Sequence, residues 1–367
     1  MNETLLPFGQ LAALGGVGGL LAAGPLLWWR LRSRSASPAG RLRALTLLTL
    51  FLTFDLILFG AFTRLTDSGL GCPDWPLCYG AASPLGANAQ IDAAQAAMPT
   101  GPVTQGKAWI EMIHRYLASA VGVLILVTWV QSLRGVRLAR AAGEPVPSRW
   151  WPTLTLLAVC VQGAFGALTV TMKLFPAIVS LHLLMAMGLL MALCWQREAY
   201  APRPLVAPRA LHGAVAGLLV LTLMQVALGA WVSTNYAVLA CNEFPTCHSG
   251  QFWPTLDFAQ GFELWRDLGQ RAGGGWLGFE ALAAIHMAHR IGALVVFTAV
   301  LALVWALRRP APTWSRWLLA AAGWQLATGL SNVVLDWPLA AALAHTGGAA
   351  LLLALLTTLL ARLRASV

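Results

Sequence analysis

Charge is what this sequence has least of. Only 10% of its 367 residues are Asp, Glu, Lys or Arg, while 58% are hydrophobic. Water-soluble domains carry about 25% charged and about 45–50% apolar residues. A chain this poor in charge cannot cover its folded surface with solvated groups, so a soluble globular protein is excluded. Acids are scarcer still, 14 against 24 basic residues, for a net charge of +10. The N-terminus lacks the basic n-region of a secretory signal, and Glu3 stands in its place. The first apolar run ends on Pro25 and Trp28-Trp29-Arg30 rather than on a small-residue cleavage site. An Arg- and Ser-rich transit peptide is also missing.

What is there instead is a series of long apolar runs. Nine match the roughly 20 residues a bilayer crossing needs: 5–29, 44–62, 111–132, 151–172, 177–196, 211–232, 281–307, 314–333 and 339–361. In lipid each backbone polar group must bond within its own segment, so these spans are expected to be helices. The expected fold is an all-α polytopic membrane protein of about nine transmembrane helices. The excess of basic residues is a topology signal rather than a footprint for nucleic acid. Alternate loops hold seventeen basic residues on one side and five on the other. The positive-inside rule then puts the N-terminus outside and the C-terminus in the cytoplasm; the expected setting is a bacterial inner membrane with a periplasmic N-terminus. The long loops 63–110 and 233–280 fall outside.

Six cysteines are present. Cys160 and Cys194 lie within spans and are expected to be buried there. The other four sit in the outer loops, where disulfides are permitted. Cys72-Pro-Asp-Trp-Pro-Leu-Cys78 parallels Cys241-Asn-Glu-Phe-Pro-Thr-Cys247 at an offset of 169. Each pair is close enough for a small-loop disulfide, Cys72–Cys78 and Cys241–Cys247, acting as a staple or as an exchangeable dithiol. These loops belong to an internal repeat. Gly60-Ala61-Phe62 matches Gly229-Ala230-Trp231 at the same offset, and His114-Arg115 matches His289-Arg290 at 175. Gln162, Gly166 and His182 match Gln325, Gly329 and His345 at 163. The chain therefore reads as two four-helix halves, 44–196 and 211–361, preceded by an additional helix and linker over 1–43. Both halves start from the same side, so the repeat is of the parallel type.

Histidine inside a span is costly and marks a site. His114, His182, His289 and His345 all fall near the outer ends of their spans, one pair in each half. Two imidazoles from two helices can ligate one haem iron on its two faces. Zinc fits less well, for His182 and His345 have no carboxylate or thiolate close in sequence. Arg115 and Arg290 follow their histidines, and Arg64 closes the span before the first cysteine loop. Each is a candidate partner for a haem propionate. Glu111 lies three residues before His114, where the second half has His286. A carboxylate beside a haem can take up protons or stabilise positive charge. The first half is thus the candidate for chemistry and the second for a resident cofactor, with His286 an alternative ligand to His289. His212 and His248 are assigned no chemistry, nor is the Ala-, Gly- and Pro-rich segment 81–106, which looks like a lid.

Gly-Ala-Phe-Thr-Arg-Leu-Thr (60–66), Ser-Gly-Leu-Gly-Cys-Pro-Asp-Trp-Pro-Leu-Cys (68–78) and Glu111-Met-Ile-His114-Arg115 resemble haem A synthase, and the likeness extends over residues 44–361. That family is usually described with eight spans, so the first helix is a departure. The resemblance implies oxidation of the C8 methyl of haem O to the formyl of haem A. It implies haem O between His114 and His182, haem b between His289 and His345, and Glu111 as the catalytic carboxylate. It also implies a farnesylating haem O synthase upstream and a terminal oxidase as the destination. A homo-oligomer is compatible with all of this. Two other classes share the histidines: a dihaem electron-transfer or quinol-binding subunit, and a haem carrier. Neither has an evident need of Glu111, and an electron wire has no evident need of the cysteine loops.

Overall fold

The structure is a computed structural model that describes residues 6–142 and 146–365. Glu3 lies outside them. In chain order the elements are α1 (Leu6–Arg32), α2 (Pro38–Leu65), α3 (Asn88–Ala97), α4 (Gln105–Ala142), α5 (Trp150–Thr171), α6 (Pro176–Tyr200), β1 (Leu205–Ala207), α7 (Arg209–Thr234), α8 (Phe258–Gly261), α9 (Phe279–Leu307), α10 (Pro312–Val334), α11 (Leu339–Arg362) and β2 (Leu363–Ala365). Short 3₁₀ turns at Pro84–Ala87 and Ala237–Leu239 complete them.

Each of the nine apolar runs forms a long helix. Eight are long and apolar enough to cross a membrane. The ninth, α10, has 23 residues but carries Arg316, Gln325 and Asn332, which keep it out of that group. The largest difference from expectation is α4. It starts at Gln105 rather than near 111 and continues to Ala142, so Arg134, Arg137 and Arg140 lie on a helix, not in a loop. Its two additional first turns are held under the outer loop: Ala108 is buried and Gly71 lies against the Lys107 backbone. Glu111 is therefore the seventh residue of its helix and not an acid of the first turn. Helix starts follow local chemistry. Pro38 opens α2, and the Ser37 hydroxyl accepts from Gly40 N–H at 3.2 Å.

The chain divides into two compact units. The first runs to Lys173 and takes up residues 188–202; the second comprises 174–187 and the chain from Arg203. In the first, α1, α2 and α5 pack on α4. Gly18 of α1 lets its backbone approach Ser119 and Ala120 closely. Val121 and Ile125 pack with Leu189 and Leu193 of α6. A buried polar chain crosses this unit: Gln196 donates to the Thr46 hydroxyl at 2.8 Å and accepts from Thr155 at 3.0 Å. Each polar group in it is satisfied, as an apolar interior requires. In the second unit, α7 packs on α9 and α11, and α10 packs on both of those helices. Parallel strands β1 and β2 pair Leu205 with Leu363. Large apolar side chains such as Leu20, Phe51, Leu157, Leu294 and Trp305 remain exposed, as lipid-facing residues do. Cys194 is buried as expected, but Cys160 is exposed, as are Leu157 and Val161 near it on α5.

The repeat is present in the backbone as well. Lys173 and Leu174, before α6, have φ of 49° and 60°, and Asp336 and Trp337, before α11, have 53° and 60°. These pairs stand at the offset of 163 found in the sequence. Asp67 and Tyr236, after α2 and α7, share φ of 49° and 53° at the offset of 169. Left-handed non-glycine residues are uncommon, so their recurrence at matched positions is independent support for the duplication.

Candidate functional site

The cysteine loops come first, because they fix what surrounds the histidines. Both disulfides are formed, Cys72–Cys78 and Cys241–Cys247, and each encloses a cis proline, Pro76 and Pro245. Within the first loop the Asp74 carboxylate accepts from Tyr79 N–H at 2.5 Å and Gly80 N–H at 2.8 Å. Within the second, Glu243 accepts from the Thr246 hydroxyl at 2.7 Å and Gly250 N–H at 2.9 Å. The Thr246 hydroxyl, followed by Gly250 N–H, holds the Glu243 carboxyl below its ordinary pKa. The segment expected to be a lid is ordered by packing: Ala87 and Ile91 join Cys72, Cys78 and Met112 in one buried cluster.

On α4 and on α9, two residues grip the loop above. Glu111 accepts from Cys72 N–H at 2.8 Å and pairs with Arg115 through its other oxygen. Arg115 also donates to the carbonyls of Asp74 at 2.8 Å and Leu77 at 2.6 Å. In the second unit His286 Nδ1 accepts from Cys241 N–H at 3.3 Å. Arg290 donates to the carbonyls of Thr246 at 2.9 Å and of Glu243 and Cys241 at 2.8 Å each. Asp74 and Leu77 correspond to Glu243 and Thr246 at the repeat offset. The arginines thus do in both halves a job that sequence reasoning did not assign them. Glu111 and His286, though chemically unlike, hold the same amide. That use of His286 leaves His289 as the second unit's candidate ligand on α9. Arg64 pairs with Asp67 at 3.2 Å.

The histidines stand in register. His114 is the tenth residue of α4 and His289 the eleventh of α9; His182 and His345 are each the seventh of their helices. A Cβ on Gly60 would come within 3.0 Å of His114 Cε1, and one on Gly229 within 3.0 Å of His289 Cε1. Gly329 stands in the same relation to His345, at 3.2 Å. These glycines let an imidazole lie flat on a helix backbone. Phe59 also stacks on His114, centroids 6.2 Å apart at 7°. His114 belongs to the first unit and His182 to the segment grouped with the second.

The second unit brings its histidines together. The rings of His289 and His345 have centroids 6.4 Å apart, with planes at 78°. Metal–imidazole bonds are about 2 Å long, and each ring centre lies roughly 1 Å behind its nitrogen, so two imidazoles on one metal have centroids about 6 Å apart. The observed spacing fits a shared iron. Both rings are held from behind through Nδ1. Gln225 Nε2 lies 2.9 Å from His289 Nδ1 and donates to the His289 carbonyl at 2.9 Å. The Thr328 hydroxyl gives its hydrogen to the Trp324 carbonyl at 2.7 Å, and so accepts from His345 Nδ1–H at 3.1 Å. Gln325 donates to the His345 carbonyl at 2.9 Å. For His345 this is the outer-shell support that metal-bound histidine requires, since a protonated Nδ1 leaves Nε2 for the metal; at His289 the Gln225 NH2 faces Nδ1 as a donor. The repeat signalled Gln325 but not Gln225 or Thr328. Their counterparts in the first half are Leu56 and Phe165, which have no hydrogen-bonding side-chain atoms.

Fold and site together define an all-α multi-span membrane protein with a disulfide-closed loop over α4 and another over α9. Residues 43–357 match the family described as cytochrome oxidase assembly protein, COX15-CtaA, and the chain belongs to that family. Among its relatives, a protein of Shewanella oneidensis named heme A synthase is 37% identical over 318 residues, 85% of this chain and 93% of its own. One of Allorhizobium ampelinum with the same name is 32% identical over 334 residues, 83% and 86% of the two chains. A third, from Halalkalibacterium halodurans, is 26% identical over 262 residues, 69% and 72%.

Proposed function

We infer that this chain is an oxidoreductase of haem A biosynthesis that converts haem O into haem A in the membrane. The observation that carries the reading is the His289–His345 pair, its rings spaced for one iron and His345 held through Nδ1–H by the Thr328 hydroxyl, in a chain whose relatives are named heme A synthase. The electron-transfer alternative is not favoured by those relatives.

In this proposal haem b is the resident cofactor, held by His289 and His345, and supplies one-electron chemistry at its iron. Haem O is the substrate, taken by His114 and His182, and its C8 methyl becomes the formyl of haem A through two hydroxylations and loss of water. Glu111 is the catalytic carboxylate that takes up protons there, held in place by Arg115 and the Cys72 amide. Arg64, Arg115 and Arg290 are the propionate partners, Arg115 and Arg290 in addition to gripping the loops. A farnesylating haem O synthase supplies the substrate, and a terminal oxidase receives the product. The protein lies in a bacterial inner membrane with its N-terminus in the periplasm.

The test is co-expression with a haem O synthase in a host lacking haem A, followed by extraction and mass identification of the haems. Haem A should accumulate with the wild-type chain and fall with Glu111→Gln while haem b stays bound. Haem O alone in the wild-type extract refutes the activity.

A further inference from the structure

The end of the first unit opposite its cysteine loop holds a pocket of about 460 Å³ that the haem chemistry does not use. Leu26, Leu27, Trp29 and Arg30 of α1 form one wall, and Arg41 of α2 and Arg134 of α4 are on the others. The volume is that of a small-ligand site. Three guanidinium groups line it, and among the described residues none of them has a carboxylate within ion-pair distance. The frame is fixed: Trp29 is buried, donates to the Arg41 carbonyl at 2.9 Å, and has the Arg41 guanidinium 5.5 Å from its ring centre. Trp29 also packs with Ala22, Leu45, Ala120 and Leu124, joining α1, α2 and α4. The family match starts at residue 43, so α1 and Arg41, which make most of this pocket, lie outside it.

Three like charges around one cavity repel unless an anion joins them. The leucines and tryptophan beside them add a surface that a soluble anion does not need. Basic pockets between transmembrane helices accept lipid headgroups on the basic side of a membrane protein. The geometry points to a binding site for one anionic phospholipid, its phosphate between Arg30, Arg41 and Arg134 and its acyl chains along Leu26 and Leu27. On this assignment the additional helix supplies half of a lipid site.

The test uses the full chain in nanodiscs of phosphatidylglycerol and phosphatidylcholine, with retained lipid counted by native mass spectrometry. Each basic side chain near a headgroup contributes roughly fivefold in affinity. Arg41→Gln with Arg134→Gln should therefore lower phosphatidylglycerol retention at least tenfold. Arg137→Gln with Arg140→Gln, which removes equal charge from the same end of α4 outside the pocket, should change it less than twofold. Leu27→Trp fills the cavity without altering charge and should also displace the lipid, which guards against misfolding of the double variant. Equal losses in the two double variants, equal retention of phosphatidylcholine, or displacement by inorganic phosphate or by haem O would each overturn the assignment.

Discussion

Replacing Arg290 with Met keeps the aliphatic stem and removes the guanidinium. Three charge-assisted hydrogen bonds to the carbonyls of Cys241, Glu243 and Thr246 disappear, each between 2.8 and 2.9 Å long. Such bonds are worth about 1.5–3 kcal/mol each when shielded from water. Arg290 is only partly buried, so halving that figure gives about 3 kcal/mol for the set. At about 1.4 kcal/mol per factor of ten, local opening of the loop should become roughly a hundredfold more frequent. Hydrogen exchange in detergent reads this directly, at the Cys247 and Gly250 amides, which bond to Gln251 O and Glu243. The helical amides of α9 should be unaffected. Exchange within threefold of wild type, accompanied by loss of haem, would refute the loop-clamp reasoning and leave only the propionate role.

Gly229→Ala places a methyl 3.0 Å from His289 Cε1, so the ring must turn; haem b content measured by pyridine haemochrome should fall severalfold with the helical signal retained. Thr328→Val removes the acceptor of His345 Nδ1–H; loss of such outer-shell partners costs about 10–100-fold in metal affinity, and haem b titration of the apoprotein would show it, whereas an unchanged affinity would remove Thr328 from the site. Because the Glu243 carboxyl titrates below its ordinary value, its contribution to the loop is present above the unfolded pKa of about 4.3. That contribution is lost as pH falls through the folded value, so exchange at Gly250, corrected for intrinsic pH effects, should rise only in that acid range and be flat above pH 6.

The nine helices were legible because bilayer thickness and backbone satisfaction leave an apolar run little choice. The duplication was legible because Cys, His and Gly recur at constant offsets. Helix α4 exceeded its expected bounds because Gln105 and Lys107 look like loop residues; what makes them helical is packing beneath Gly71, a long-range contact. Gly60 and Gly229 were visible as a match but not as seats for imidazole rings. The Arg115 and Arg290 clamps were hidden for a different reason. Their partners are main-chain carbonyls about forty residues away, and a carbonyl carries no residue identity for a sequence to display.

That last property has an evolutionary side. A clamp that reads only main-chain oxygen places no demand on which side chains the loop carries, so long as its curvature is kept. After duplication the two loops could drift apart, one to Pro-Asp-Trp-Pro-Leu and the other to Asn-Glu-Phe-Pro-Thr between their cysteines. The outward faces of the two caps could then specialise for different neighbours, while the arginine beneath each kept its hold unchanged.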